Sequence, residues 1–150
     1  MKVDLELYAP DLDKYNKNLL SDIAQITLEK SSKINRYVKR VSLSVAIVSE
    51  DEIQRVNKQL RNKNIVTDVL SVGEYSDNRD IKKESEIEIF LGEVILCYNY
   101  IEQFAHENNC DIDKEFFTIY AHGILHLLGF SHSPEMFDIQ DNVVANYIKK

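Results

Sequence analysis

The stretch His122-Gly-Ile-Leu-His126-Leu-Leu-Gly129-Phe-Ser-His132 holds three of the four histidines in this 150-residue chain. His122 and His126 are four residues apart, so a helix places their imidazoles one turn apart on the same face. Gly129 allows the helix to end in a left-handed turn that brings His132 back toward the pair. We expect the three imidazoles to bind one zinc ion and to leave a fourth position open, as in catalytic zinc sites. A histidine on an apolar helix is more often a packing residue than a ligand, but this spacing has no packing rationale.

Hydrophobic periodicity outside this stretch predicts an α+β fold. Alternating patterns predict four strands, the last with a bulge or close approach at Gly92: 2–8, 41–48, 67–71 and 86–97. Helical spacing predicts five helices, the second opened by a Ser49–Glu52 capping box: 11–33, 49–60, 98–108, 112–128 and 134–148. Residues 73–86 are polar and predict a loop. We therefore expect a small mixed four-stranded sheet packed with about five helices, in which the central helix carries the histidines.

Length and composition predict a single domain over residues 1–150. The chain is 44% hydrophobic and 29% charged, as in ordinary soluble proteins. Its sequence contains no apolar run of about 18 residues and no signal-peptide core at the N-terminus, so we expect a cytoplasmic protein without a membrane partner. Cys97 and Cys110 form no C-x-x-C pair and are expected to be free, buried thiols.

A net charge of −7 argues against broad, charge-driven adhesion to nucleic acid, but two local basic clusters stand out. Such clusters are usually solvated surface, and composition alone does not assign either of them to a substrate. The first cluster consists of Lys33, Arg36, Lys39 and Arg40, and the second consists of Arg55, Lys58, Arg61 and Lys63.

Zinc held by neutral imidazoles keeps its full positive charge, activates water and stabilises negative charge on a carbonyl or phosphoryl oxygen. The histidine spacing also matches the zinc-peptidase pattern H-E-x-x-H-x-x-G-x-x-H, whose glutamate acts as general base. That position is Gly123 here, which weakens a peptidase interpretation unless Glu135 or Asp138 supplies the base. Phosphodiester cleavage instead needs a cation for the phosphate, and Arg61 is the best candidate.

The histidine stretch closely resembles the signature of the YbeY family of single-strand-specific metallo-endoribonucleases. Further upstream, Arg61-Asn-Lys-Asn-Ile-Val-Thr-Asp-Val-Leu-Ser71 is similar to that family's R-x-K-x-x-x-T-D-V-L-S segment. Leu91-Gly-Glu-Val94 resembles its L-G-D-I strand, and Glu135-Met-Phe137 falls where its terminal helix begins. These matches occur in family order between about residues 50 and 145.

The resemblance implies an α+β domain, one zinc ion and a role in 16S ribosomal RNA 3′-end maturation and ribosome quality control. It places His122, His126 and His132 at the metal ligands, and Arg61 at a functionally important arginine. Thr67, Asp68 and Ser71 would line the cleft, with structural roles. The implied partners are single-stranded RNA or a ribosomal RNA precursor and the small ribosomal subunit, and we expect a monomer.

Two positions depart from the family pattern. Ser131 stands where an acidic residue usually precedes the last histidine, which removes a carboxylate that could orient a ligand. Ser71-Val-Gly73 replaces S-F-P, so we expect a different exit from that strand. Neither change removes a ligand.

The leading hypothesis is therefore a zinc-dependent endoribonuclease, with Arg61 and His122 as catalytic residues. A metallopeptidase-like hydrolase and a non-catalytic ribosome-assembly factor with a structural metal are the alternatives. Arg61 could instead be a surface residue that pairs with Glu52 or Asp51. His106 is expected at the surface, and Glu135 and Asp138 are expected to favour the start of the last helix through its dipole.

Overall fold

The computed structural model describes residues 1–77 and 79–147. Its elements, in chain order, are β1 (Lys2–Tyr8), α1 (Lys17–Ser31), β2 (Arg40–Ile47), α2 (Glu50–Arg61), β3 (Val69–Val72), α3 (Glu74–Asp77), β4 (Glu88–Leu96), α4 (Tyr98–Glu107), α5 (Ile112–Leu127) and α6 (Pro134–Tyr147). Two short 3-10 helices cover Leu12–Lys14 and Ile81–Lys83. Asn78, inside the predicted loop, and residue 148, the last of the predicted final helix, lie outside the described residues.

The predicted α+β class is confirmed. The differences from the sequence interpretation lie at element ends and in the stretch 73–86, where a short helix brings the described helices to six instead of about five. The first helix begins at Lys17 rather than near residue 11, because the Asn16 side chain accepts a hydrogen bond from the Leu19 N–H and caps it there. The predicted loop 73–86 is wrong in part, since it contains α3 and a 3-10 helix. These short elements bury Tyr75 and Ile81, which anchor them to the core.

Only half of the predicted capping box is seen at the start of α2. The Ser49 hydroxyl accepts a hydrogen bond from the Glu52 N–H at 3.2 Å. The Glu52 carboxylate does not reach back to Ser49 but pairs with the Arg55 guanidinium, at 2.8 and 2.9 Å. The serine cap alone therefore fixes the start of the helix that ends at Arg61.

The four strands form one mixed sheet in the order β1-β2-β4-β3. β2 pairs in parallel with both β1 and β4, and β3 lies antiparallel to β4 at the edge. The pairing of β2 with β4 shifts register between Ser42, opposite Phe90, and Leu43, opposite Gly92. The predicted bulge at Gly92 is therefore confirmed.

Helices on the two faces of this sheet bring the candidate site residues together beside β3. On one face, α5 is the central helix: it packs against α1, α3, α4 and α6 and against β3 and β4. On the other face, Ile53 of α2 is fully buried against a small apolar cluster with Leu70, Ile95 and Cys97. The C-terminal ends of α5 and α2 therefore flank the same edge strand.

Both cysteines are free, as predicted, but they differ in exposure. Cys97 is buried, whereas Cys110 is exposed, so the expectation of two buried thiols is wrong for Cys110. Within residues 1–77 and 79–147, no helix is both long and apolar enough to cross a membrane.

Candidate metal centre

The end of α5 determines where the third histidine lies. Gly129 has φ +93°, the left-handed conformation predicted from the sequence. The Gly129 N–H donates to the His126 carbonyl at 3.0 Å, and the Phe130 N–H donates to the Leu125 carbonyl at 3.1 Å. This pair of bonds is a Schellman motif, which satisfies the last helical carbonyls and reverses the chain. His132 thereby returns to the face that carries the other two histidines.

The three imidazoles converge through their Nε2 atoms. The His122 and His126 Nε2 atoms are 3.0 Å apart, and His132 Nε2 lies 3.2 Å from each of them. Two nitrogens bound to one tetrahedral zinc at the usual ~2.0–2.1 Å are about 3.3 Å apart. The triangle therefore has almost the size that a single zinc ion requires.

Hydrogen bonds to the far side of two rings set their tautomers. The His126 Nδ1 lies 3.0 Å from the Phe130 carbonyl oxygen, which can only accept, so this Nδ1 carries the proton. The His122 Nδ1 lies 2.8 Å from the Oε1 of Gln140, a buried side chain on α6, and donates to it in the same way. Both arrangements leave the Nε2 lone pair free for a metal, as outer partners do in zinc proteins.

Burial lowers the pKa of His122, and also lowers that of His126, because a charged imidazole loses solvation there. Nearby positive charge on the neighbouring histidines acts in the same direction. The neutral form is the one that binds a metal. Neutral rings that direct their lone pairs at one point repel each other unless a cation lies between them. The donor set thus fits a divalent metal, and imidazole nitrogen suits zinc.

Within the described part of the chain, His122, His126 and His132 form the one group whose ligand atoms could hold an ion together. Neither Glu135 nor Asp138 joins it, and both are exposed on α6. The start of this helix is instead capped by Ser133, whose hydroxyl accepts from the Met136 N–H at 3.2 Å. A carboxylate base supplied by α6, as the peptidase interpretation needs, is therefore not part of the histidine group.

Gly123 is buried where α5 crosses the sheet. A Cβ at this position would lie 2.9 Å from Val94 Cγ1 and 3.1 Å from Val69 Cγ2. There is no room for a glutamate, whose charge would also face an apolar surface. The missing glutamate of the peptidase pattern thus has a structural reason, which is the close approach of α5 to β3 and β4.

The histidines form one side of a cleft of about 520 Å³. We call His122, His126 and His132 the histidine wall, and Arg61 and Lys63, which line the same cleft, the basic wall. Thr67, Asp68 and Ser71 also line the cleft, as the resemblance implied. The cleft therefore combines a site for a metal with cations that suit phosphate.

Arg61 is exposed and ends α2. One of its terminal nitrogens donates to the Ser71 carbonyl at 2.8 Å, which directs the guanidinium toward β3. The alternative pairing with Glu52 or Asp51 is not seen: Glu52 binds Arg55, and no carboxylate among residues 1–77 and 79–147 forms an ion pair with Arg61. Most of its N–H groups can therefore bind an anion in the cleft.

The basic clusters of the sequence separate into different roles. In the first cluster, Arg40 forms ion pairs with carboxylates on the sheet. The Lys33 ammonium lies 4.2 Å from the centre of the Phe130 ring. In the second cluster, Arg61 and Lys63 reach the cleft, so one of the two clusters supplies its cations. His106, the fourth histidine, is exposed on α4, as predicted.

Three contributors to the site carried no signal in the sequence. Gln140 lies 18 positions after its partner His122, and the Phe130 carbonyl is a backbone group. The Phe137 ring stacks on two of the histidines, with ring centres 6.0 Å from His132 and 6.2 Å from His122. Gln140 and Phe137 depend on how α6 docks against α5, which local patterns do not specify, whereas the Phe130 carbonyl lies in the turn that ends α5. Ser131, the departure beside the last histidine, is exposed.

Comparison with known proteins places the chain in a family. A family model described as Endoribonuclease YbeY matches residues 9–147, a range that includes Arg61 and the three histidines. A Staphylococcus carnosus protein named Endoribonuclease YbeY is 36% identical over 110 residues, covering 70% of this chain and 71% of the relative. A Macrococcus caseolyticus protein of the same name is 31% identical over 142 residues, covering 85% and 92%. The solution structure of TM1509 from Thermotoga maritima is similar with a TM-score of 0.61 and 27% identity, covering 95% of this chain and 87% of that one.

Proposed function

The chain belongs to the YbeY family of endoribonucleases, and we propose that it is a zinc-dependent endoribonuclease that cuts single-stranded RNA. One observation carries the proposal: three imidazole Nε2 atoms converge within 3.0–3.2 Å in a cleft that Arg61 also lines. His122, His126 and His132 would hold one zinc ion. The relatives named Endoribonuclease YbeY support RNA as the substrate.

Each residue of the site has a defined task in this proposal. Zinc, when bound, supplies a Lewis acid for the negative charge that develops on phosphoryl oxygens. Arg61 binds non-bridging phosphate oxygens with the N–H groups that Ser71 leaves free. Its positive charge stabilises the negative charge of the transition state. His122 acts as a ligand whose orientation Gln140 fixes. The cleft positions the phosphodiester between Arg61 and the histidine wall.

The biological substrate we propose is the 3′ end of the 16S ribosomal RNA precursor, with a role in ribosome quality control. The small ribosomal subunit would present this RNA to a monomeric, cytoplasmic enzyme. The family resemblance supports these assignments. A precursor with a 3′ extension should therefore be shortened by the purified protein. The chemistry of the new ends identifies the attacking group: a 2′,3′-cyclic phosphate indicates the 2′-hydroxyl, and a 3′-hydroxyl paired with a 5′-phosphate indicates water.

The decisive test is to replace His126 by alanine and compare this variant with His106→Ala. We expect wild type and His106→Ala to contain one zinc per chain and to cut an unstructured oligoribonucleotide. We expect His126→Ala to lose the metal and to cut at the background rate, because two remaining ligands bind zinc weakly. Metal analysis, and cleavage with and without chelator followed by zinc addition, measure both effects.

Two outcomes would contradict the proposal. If zinc-loaded, folded wild-type protein leaves single-stranded RNA intact, the metal is structural and the assembly-factor alternative holds. If the same preparation cuts a peptide library in a zinc-dependent manner, the peptidase alternative holds despite Gly123.

A further inference from the structure

An aromatic ring extends the histidine wall into solvent. Phe137 lies in the first turn of α6, and 42% of its surface is exposed. Its ring is almost parallel to that of His132, with an interplanar angle of 10° and centres 6.0 Å apart. It lies at 29° to His122, with centres 6.2 Å apart. One part of the ring thus packs on two histidines of the site while another part faces water.

Core packing does not explain this position. The preceding residue, Met136, is fully buried and anchors α6 to the core, and Ile139 packs against the same core. Phe137 projects from another side of the helix. A single exposed phenylalanine is common on a protein surface, so the distinguishing feature of Phe137 is its contact with two histidines of the site.

Two other exposed phenylalanines show what is specific to Phe137. Phe104 on α4 is 43% exposed and Phe90 on β4 is 60% exposed. Neither lines the cleft. Phe137 does not line the cleft either, but it adjoins it through His122 and His132, which do. An aromatic surface therefore continues outward from the point where the scissile phosphate would lie.

We propose that Phe137 is a stacking platform for an unpaired nucleobase next to the scissile phosphate, and so a residue that selects single-stranded RNA. This inference rests on the proposed function. Exposed aromatic rings in proteins that bind single strands stack on successive bases, and they tolerate any sequence because every base has a π face. A base in a duplex is already stacked and paired and cannot lie on Phe137 without leaving the helix.

The test replaces Phe137 by alanine, leucine or tryptophan and uses Phe104→Ala as the matched control. Binding is measured by fluorescence anisotropy with a 2′-O-methyl oligoribonucleotide, whose integrity is checked on a gel, and zinc content is measured on the same samples. Cleavage of single-stranded and duplex RNA gives kcat and KM.

We expect Phe137→Ala to weaken binding and raise KM by about tenfold with little change in kcat, at one zinc per chain. Phe137→Trp should bind as well as wild type. Phe137→Leu, which covers the histidines but cannot stack, should resemble alanine, and Phe104→Ala should resemble wild type. Wild type should bind an oligonucleotide with one abasic site at the stacked position more weakly than the intact oligonucleotide, whereas Phe137→Ala should bind the two equally well.

The proposal is overturned if Phe137→Ala or Phe137→Leu binds RNA as tightly as wild type. It is also overturned if Phe137→Ala loses zinc, because the ring would then only shield the ligands. In either case wild-type cleavage leaves the proposed function standing. If wild-type protein neither binds nor cuts RNA, both the proposed function and the stacking role of Phe137 are overturned.

Discussion

The histidine wall and the basic wall differ in how firmly they are held. On the histidine wall, two of the three rings have their Nδ1 atoms fixed by partners, and α5 behind them packs on four helices and two strands. On the basic wall, Arg61 is exposed and is oriented by one hydrogen bond, to the Ser71 carbonyl. A metal needs ligands placed within a few tenths of an ångström, whereas a phosphate on a flexible RNA tolerates a mobile cation. The difference therefore matches the two tasks that we propose for the cleft.

We expect the basic wall to act on the substrate alone. Arg61→Ala should lower kcat/KM for single-stranded RNA by roughly a hundredfold to a thousandfold, as expected for loss of a charged group that stabilises the transition state. Zinc content and the free energy of unfolding should stay at wild-type values, because Arg61 touches neither the ligands nor the core. Steady-state cleavage, metal analysis and thermal unfolding measure the three quantities.

Arg55→Ala is the matched control for Arg61, since Arg55 is an exposed arginine one and a half turns earlier on α2 whose partners are Glu52 and Gln59. It should retain wild-type cleavage. Arg61→Lys should recover part of the loss, because lysine keeps the charge but not the forked geometry. Zinc loss in Arg61→Ala would show that the two walls are not independent.

A second prediction concerns the outer partner of the histidine wall. Gln140→Leu leaves the Nδ1–H of the half-buried His122 without its acceptor, and we expect zinc affinity to fall by about 10–100-fold. Competition against a chromophoric chelator measures this change. Gln140→Glu keeps an acceptor and should bind zinc at least as well as wild type.

The exposed residue Gln103 on α4 bonds only to the side chain of Glu107 among the described contacts. Gln103→Leu is therefore the control for a general effect of replacing an amide. Unchanged zinc affinity in Gln140→Leu would mean that the buried contact does not orient His122, and the contrast between the walls would lose its main support.

Sequence reasoning reached the parts of the site that depend on local geometry. The spacing of His122 and His126 follows from the helical repeat, and the turn at Gly129 follows from its freedom at positive φ. The α+β class and the central helix followed from hydrophobic periodicity. Gln140 and Phe137 were missed because their roles depend on the docking of α6 against α5, a contact between elements that no local pattern encodes.

The prediction of element ends was wrong for a related reason. The sequence interpretation started the first helix near residue 11, but the Asn16 cap competes with helix continuation and the chain starts α1 at Lys17. The polar stretch 73–86 lacked periodicity, yet tertiary burial of Tyr75 and Ile81 organises it into short helical turns. Such short elements are stabilised by their contacts with the core and leave no periodic signal.

Substitution of Gly129 is expected to have the smallest effect, and it tests whether the turn that closes the histidine wall is as necessary as the sequence suggested. Gly129→Ala forces a side chain into φ +93° and places a Cβ 3.0 Å from the Tyr75 carbonyl oxygen. The strain should cost about 1–2 kcal/mol, which lowers the melting temperature by roughly 3–6 °C. Gly129→Asn, a residue that enters the left-handed region more readily, should lose less. Thermal unfolding with and without zinc measures both variants. If the turn positions His132, zinc should raise the melting temperature of Gly129→Ala less than that of Gly129→Asn. Equal rises would show that His132 reaches the metal without help from Gly129.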